Sequence, residues 1–313
     1  MKNLRAFLLA GFAGLAAMAF FAARSDAKPE TVTKIADGVW FREGGQNGHC
    51  NNTIIEMKDY LIVVDANFPS GARLAMADAK KVSAKPVKYV FDTHHHGDHA
   101  YGNAVWTEAG ATTLAYKGVA EEMKRREPAR WQATAKTRKD VAELNRPTAE
   151  PPKQTFDKKM FVLADNTRRV EFHFFGWAHT RGDGFVYLPK EQVICTGDAV
   201  VNGAFNYLED ANVANWPNVI RAAQKLKVGT VLPGHGEPGG KEVLAGQSLY
   251  LTELHKAVKA GIAQGKKLDD MKASLQLPES VKKWVGGSLP AHVQATYEEI
   301  SQGKPYGEIT GGK

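Results

Sequence analysis

A histidine-rich segment that directly follows a buried strand is the feature that most constrains this fold. The apolar run at 87–91 predicts a short buried strand, and the chain continues as Thr93-His94-His95-His96-Gly97-Asp98-His99. Imidazole and carboxylate groups this close together can converge on one cation. Gly97 lets the backbone turn within the loop. The segment therefore predicts a metal site at the end of a strand, inside the folded part of the chain.

Three further candidate ligands also stand where predicted strands end. His179, Asp198 and His235 each follow an apolar run and lie close to glycine. Alone, each of them would be interpreted as an ordinary polar residue with a local hydrogen-bond partner. Together with the first segment they predict metal ligation. The predicted ligands are His94, His96, Asp98, His99, His179, Asp198 and His235.

The chain between residues 31 and 236 consists of two similar halves. Each half contains an antiparallel hairpin followed by a helix and a short strand, and matching strands end in Asp65-Ala66 and Asp198-Ala199. Two such units predict two packed sheets with helices outside, so that polar strand ends from both halves meet along one edge. The predicted elements are strands 33–42, 53–66 (with a turn at Lys58-Asp59) and 87–91 with a helix at 70–83, and strands 170–175, 185–188, 192–196 and 230–232 with a helix at 217–226.

Two segments lie outside these elements. Residues 117–159 form a charged helical stretch followed by three prolines, which predicts an insertion or linker between the halves. Beyond residue 240 the apolar positions recur at helical spacing. Helices are expected at 242–264, 268–275 and 290–300, packed on the core as a C-terminal helical extension.

The first 27 residues have the pattern of a secretory signal peptide. Lys2 and Arg5 precede an apolar run at 6–23, and Ser25-Asp26-Ala27 offers a small-residue cleavage site. This interpretation predicts a periplasmic or secreted protein that keeps no stable membrane association after cleavage. An uncleaved anchor is the alternative, because a run of 18 apolar residues is at the lower limit for spanning a bilayer.

Charge and composition narrow the range of partners. With 43% hydrophobic residues, the chain can bury a globular core. The net charge of +7 falls to +5 without the predicted signal peptide. The helical stretch that contains the basic cluster at 124–130 also holds Glu121, Glu122 and Glu127, which favours a solvated helix face. We therefore expect a small-molecule substrate and no nucleic-acid partner. Cys195 is expected to be a buried thiol, and its pairing with Cys50 stays open.

The spacing His94-x-His96-x-Asp98-His99, followed in order by His179, Asp198 and His235, resembles the ligand set of the metallo-β-lactamase superfamily. The resemblance covers residues 31–236. It implies an α/β fold, the four-layer αββα sandwich, for a catalytic domain at 31–239. The insertion at 117–159 and the helical extension at 240–313, both expected from the sequence pattern, complete this organisation. The superfamily resemblance also implies two divalent metal ions, zinc first, with iron or manganese as alternatives.

The resemblance also implies a role for each polar residue. Two groups of ligands are expected: His94, His96 and His179 for the first metal ion, and Asp98, His99 and His235 for the second. Asp198 resembles the carboxylate that bridges both ions, where dedicated zinc β-lactamases generally carry cysteine or serine. The chain is thereby more similar to glyoxalase II-like hydrolases. Asp65 and Asp183 are expected to support the ligands.

The implied activity is that of a dinuclear metal-dependent hydrolase, in which a hydroxide bridging the two ions attacks a small ester, thioester, lactone or amide. Asp98 is the candidate catalytic residue, because its carboxylate can orient the water or pass on its proton. A β-lactamase is one alternative. The others are an iron-dependent oxidoreductase of sulfur metabolism and a non-catalytic metal-binding periplasmic protein. Trp177, Asn206 and Tyr207 are expected in ordinary packing, with pocket lining as the alternative.

Overall fold

Seven strands, paired in the order in which they occur along the chain, form the first sheet. The computed structural model describes residues 31–311, so the predicted signal peptide lies outside the described residues. The first four strands pair antiparallel, and each later strand lies parallel to the one before it. The strands are β1 (Val32–Ala36), β2 (Val39–Arg42), β3 (Asn52–Glu56), β4 (Leu61–Val64), β5 (Val87–Asp92), β6 (Thr112–Tyr116) and β7 (Gln154–Phe156).

Five strands form the second sheet, and its first four pair as antiparallel neighbours. The last two strands of this sheet pair in parallel, because a helix connects them. The strands are β8 (Met160–Ala164), β9 (Arg169–Phe174), β10 (Gly184–Leu188), β11 (Val193–Cys195) and β12 (Thr230–Leu232).

Helices follow the strands in both halves and continue beyond them. Short helices also interrupt the loops near the sheet edge. The α-helices of the described residues are α1 (Pro69–Val82), α2 (Gly97–Ala100), α3 (Asn103–Glu108), α4 (Lys117–Ala135), α5 (Lys139–Ala142), α6 (Trp216–Ala223), α7 (Lys241–Ala263), α8 (Leu268–Ser274), α9 (Leu289–Gln302) and α10 (Tyr306–Thr310). None of the helices between residues 31 and 311 combines the length and the apolar character needed to cross a bilayer.

The two sheets pack face to face, and helices cover their outer faces. Strand β4 is apolar throughout because both of its faces are buried. Ile62 and Val64 lie in the layer between the sheets, whereas Leu61 and Val63 pack under α1. Helices α6 and α7 cover the second sheet in the same way. The predicted αββα sandwich is thus confirmed.

The strand register brings polar residues from both halves to one edge. In the first sheet Val64 of β4 pairs with Phe91 of β5, and in the second sheet Cys195 of β11 pairs with Leu232 of β12. Both pairs are parallel, so the chain leaves the two strands of each pair at the same edge. The loops that begin there contain Asp65, His94, His96, Asp98, His99, Asp198 and His235.

The segment at 117–159 is more closely tied to the core than an insertion would require. It contains α4 and α5, which contact the apolar cluster around Trp131, and it ends in β7, which extends the first sheet. The C-terminal helices share a second apolar cluster with the second sheet, to which α7 contributes Leu244, Leu251 and Leu254. The amphipathic pattern of this part of the sequence reflects that contact.

Two parts of the sheet arrangement differ from the sequence prediction. The strand predicted at 33–42 is a hairpin, because Asp37 and Gly38 form a two-residue turn between Ala36 and Val39, with Gly38 at a φ of 69°. In addition, β6, β7 and β8 were not among the predicted strands. Cys50 and Cys195 are both buried, free thiols.

Candidate metal centre

Loops at one edge of the sandwich bring the predicted ligands together. The loop after β5 and the short helix α2 carry four of them: His94, His96, Asp98 and His99. Loops after β9, β11 and β12 carry His179, Asp198 and His235. The loops approach closely where Gly197, at a φ of 50°, packs against Thr93: a Cβ atom there would lie 2.3 Å from the Thr93 hydroxyl. Only glycine fits this crossing of the two halves.

The first ligand group consists of His94, His96 and His179. One ring nitrogen from each lies within 4.8 Å of the other two. The ring centroids are 4.7 Å apart for His94 and His96, 4.8 Å for His94 and His179, and 4.7 Å for His96 and His179. The three imidazoles therefore surround one position.

The second ligand group consists of Asp98, His99 and His235, again with one donor atom each within 4.8 Å of the others. Asp98 Oδ2 lies 3.0 Å from His235 Nε2 and 3.4 Å from His99 Nε2. Asp198 lies between the groups: its Oδ1 is 3.3 Å from His99 Nε2, and its Oδ2 is 4.0 Å from His179 Nε2. One carboxylate thus reaches both groups.

Outward hydrogen bonds define the tautomers of two imidazoles in the first group. His96 Nε2 donates to Asp210 over 2.8 Å, and His179 Nδ1 donates to the Tyr207 carbonyl over 2.9 Å. The other nitrogens of the two neutral rings, His96 Nδ1 and His179 Nε2, then face each other as lone pairs 3.0 Å apart. Two acceptors at this distance repel unless a cation lies between them.

Three buried atoms of the centre form no hydrogen bond within the described residues: His94 Nε2, His99 Nε2 and Asp198 Oδ1. Unpaired buried polar atoms destabilise a fold by about 1–3 kcal/mol each. Nitrogen and carboxylate donors are ordinary ligands of divalent transition metals. The donor atoms at this edge therefore fit the two metal ions implied by the motif.

Burial and charge separate the two groups electrostatically. Burial, reinforced by neighbouring imidazoles, lowers the pKa of His94 well below its usual value, and burial lowers the pKa of His96 to about 3 and of His179 to about 4. Burial also acts on His99 and His235, but it is outweighed at His99 by the adjacent Cys50 sulfur and carboxylates, and at His235 by carboxylates, so the pKa of both is raised. The first group is therefore neutral at pH 7, and the second group attracts protons.

Asp65 and Asp183 hold ligand loops, as the sequence led us to expect. Asp65 Oδ2 accepts a hydrogen bond from His99 Nδ1 over 2.9 Å, and its Oδ1 accepts two from Thr93. Asp183 accepts hydrogen bonds from the backbone of Ala178 and from the backbone and hydroxyl of Thr180, which flank His179. Such contacts orient metal-binding side chains before the ion arrives.

Sequence reasoning missed Asp210. This buried carboxylate receives the His96 hydrogen bond and also pairs with Arg126 Nη1 at 2.6 Å and with both terminal nitrogens of Arg130 at 2.6 and 3.0 Å. Its Oδ2 lies 3.3 Å from Nε2 of His95, which also contacts Glu127 and Arg130 of α4. The prediction of a solvated basic face is therefore wrong for Arg126 and Arg130, whereas Lys124 and Arg125 are exposed.

The opening of the centre is lined by aromatic rings, only one of which the sequence had suggested. Tyr207 is exposed beside His96. Asn206 is buried, and Trp177 donates its Nε1 hydrogen to the Asp210 carbonyl, so both take part in packing. Phe205, which the sequence analysis did not single out, is exposed beside His235.

Comparison with known proteins agrees with this geometry. The family model described as "Metallo-beta-lactamase superfamily" matches residues 45–235, so the chain belongs to that superfamily. A metallo-beta-lactamase from Pontibacter korlensis is similar in structure, with a TM-score of 0.57 at 23% identity over 71% of this chain and 98% of that one.

Two further solved structures resemble the chain to the same degree. The DIM-1 metallo-beta-lactamase gives a TM-score of 0.57 at 19% identity, over 71% of this chain and 97% of that one. TMB-1 gives 0.58 at 19% identity, over 72% and 98%. At these identities the likeness concerns the fold.

Proposed function

We propose that the protein is an exported dinuclear metal-dependent hydrolase acting on a small ester, thioester, lactone or amide. The observation that carries the proposal is the pair of ligand groups joined by Asp198, with unpaired donor atoms directed at the space between them. Export rests on the sequence of residues 1–27. N-terminal sequencing of the protein recovered from its native host tests the cleavage after Ala27.

The proposed ligands divide the two ions between them. The first group would hold one ion, the second group the other, and Asp198 would contribute an oxygen to each. Zinc is the first choice, since imidazole and carboxylate suit it well, and iron and manganese are the alternatives. When bound, a metal pair polarises a carbonyl oxygen and lowers the pKa of water towards neutrality.

Asp98 is the residue proposed to move a proton. Its side chain is 24% exposed, more than that of His235 at 18% or His96 at 12%. A carboxylate with this access to solvent can accept a proton from the attacking water and release it outward. The buried imidazoles of His94, His99 and His179 have no such access, and their role is to bind.

The remaining residues position the reacting groups. Asp65 and Asp210 hold His99 and His96 in fixed orientations, so these imidazoles need no reorganisation when a substrate enters. No serine or cysteine nucleophile is required. The buried thiols of Cys50 and Cys195, with their pKa raised to about 12 by burial, are unsuited to nucleophilic attack at neutral pH.

Metal analysis combined with a substrate panel tests this proposal. We expect about two metal ions per chain after loading with zinc, iron or manganese, and hydrolysis within a panel of esters, thioesters, lactones, β-lactams and phosphodiesters. Asp198→Ala should lose metal and reduce kcat/KM by about 10³-fold, since a metal Lewis acid contributes several kcal/mol.

Control variants separate the centre from general effects. Asp59→Ala removes an exposed aspartate and His255→Ala a half-buried histidine on α7, and both should keep metal content and activity. If the protein holds no metal ion after incubation with zinc, iron or manganese, or if the Asp198→Ala variant keeps full activity, the proposed centre is wrong.

A further inference from the structure

Two exposed aromatic side chains stand at the opening of the candidate metal centre. Phe205 is 41% exposed and Tyr207 is 43% exposed. They are two of five large hydrophobic side chains exposed within the described part of the chain, and the others, Leu74, Met160 and Leu249, lie on different elements. Single exposed apolar residues are common on protein surfaces, whereas a pair beside a polar site marks a binding surface.

Each ring contacts one half of the centre. The Phe205 ring stacks on His235 with a centroid distance of 5.8 Å and an interplanar angle of 28°. The Tyr207 ring meets the edge of His96 at 5.5 Å and 80°. His96 and His235 are, with Asp98, the partly exposed members of the centre. The two rings therefore flank the path by which a substrate reaches it.

The loop that carries these rings is held from behind. Asn206, between them, is buried: its carbonyl accepts a hydrogen bond from His292 Nε2 over 2.9 Å, and its side-chain oxygen accepts one from Gln247. The Tyr207 carbonyl accepts the hydrogen bond from His179. Because the backbone is fixed on both sides, the two rings are presented to solvent without an ordering cost on binding.

The two arginines nearest this opening are already paired with a carboxylate. Arg130, which approaches His95, and Arg126 both direct their guanidinium groups at Asp210. A substrate with a carboxylate near its scissile bond would be recognised by a free cation, such as an arginine fork. Because Asp210 engages both arginines and the exposed side chains here are aromatic rings, we expect an uncharged group instead.

We propose that Phe205 and Tyr207 form a binding subsite for an uncharged apolar group, aromatic or alkyl, attached next to the scissile bond of an ester or thioester. This inference rests on the proposed hydrolase function and names the substrate class of the same site. The rings supply apolar contact on both sides of the group, and the metal centre lies between them. Recognition by burial of apolar surface requires no further polar partner.

Equilibrium binding tests the subsite separately from turnover. The probe is 1-naphthol, an uncharged fluorescent aromatic alcohol, titrated into the full metal-loaded protein. Phe205→Ala and Tyr207→Ala should each raise the Kd about tenfold, and Tyr207→Phe, which keeps the ring, should stay near the unmodified protein. Met160→Ala removes an apolar side chain of 41% exposure on β8 and should leave the Kd unchanged.

Hydrolysis of phenyl acetate and monophenyl succinate provides the second readout. The uncharged ester should have the higher kcat/KM by about tenfold, and the two alanine variants should raise its KM with little change in kcat. Weakened naphthol binding in these variants, in a protein that hydrolyses no ester, thioester, lactone or amide, would support the subsite and refute the proposed reaction. Unchanged Kd and KM in both variants, or a preference for monophenyl succinate, would overturn the subsite.

Discussion

The two ligand groups of the centre lie side by side but differ in charge and in what supports them. The first group has three imidazoles whose pKa values are lowered by burial, and His96 is held by Asp210 and through it by two arginines of α4. The second group includes the carboxylate of Asp98, and its imidazoles have raised pKa values because of the Cys50 sulfur beside His99 and the carboxylates beside both rings.

Because of this difference, the two groups should bind identical metal ions with a different dependence on protonation. A neutral imidazole offers its lone pair without losing a proton, whereas a protonated imidazole must release one before a metal ion can bind. The first group is thus prepared for the metal at neutral pH. The second group attracts the metal ion through its carboxylates, and its imidazoles must release protons when the ion binds.

Lowering the pH should affect the two metal sites most differently. His99 and His235 take up protons as the pH falls, so the second group should lose affinity by about tenfold per pH unit for each imidazole that must be deprotonated. The first group stays neutral until the pH approaches about 4, the pKa of His179. We expect zinc content to fall from two to one per chain between pH 7 and 5, measured by elemental analysis after equilibration.

The order of release is the critical observation in that experiment. Cobalt substitution distinguishes the sites, because an all-imidazole site and a carboxylate-containing site absorb differently. Loss of the three-histidine signal first, or simultaneous loss of both signals, would contradict the electrostatic difference between the groups.

A matched pair of variants should sharpen the comparison. Asp210→Asn weakens the support of His96, and Asp65→Asn weakens that of His99. Each should reduce the affinity of its own site by about 10–100-fold and leave the other site nearly unchanged. Asparagine is tolerated at position 65, where φ is 67°. Competition with a chelator measures both affinities, and thermal unfolding checks that each variant is folded.

The two variants serve as controls for each other. Both remove one buried negative charge and keep the side-chain volume, so a general effect of charge or stability would appear in both. Weakening of the same site by both variants, or of neither site, would show that the outward hydrogen bonds do not define the two groups.

The sequence predicted those parts of the fold and of the candidate site that local pattern controls. Apolar runs predicted β5 and β12, and polar residues after such strands, close to glycine, identified the seven residues that the structure brings to one edge. The register of parallel strands explains why this inference works, since residues after parallel strands meet at the same sheet edge.

What the sequence did not indicate depends on contacts between distant segments. Asp210 follows no apolar strand, and it becomes important only because α4 brings Arg126 and Arg130, at least 80 residues earlier in the chain, against it. Phe205 is similar: its stacking on His235 depends on the buried Asn206, which is held by a helix near the C-terminus. No local pattern distinguishes such residues from ordinary loop positions.

Cys50 provides the test with the smallest expected effect, because it asks whether a thiol belongs to the second ligand group. Its sulfur lies within 4.8 Å of donor atoms of Asp65 and His99, beside the second group. Burial raises the pKa of this thiol to about 12, so it stays protonated at neutral pH and contributes no thiolate. Cys50→Ala should therefore keep two metal ions and change the affinity of the second site by less than about threefold, with Cys195→Ala as the matched control in β11. Loss of the second ion in Cys50→Ala alone would make the thiol a ligand, and the second group would then be a mixed sulfur, nitrogen and oxygen site with a preference for softer metals.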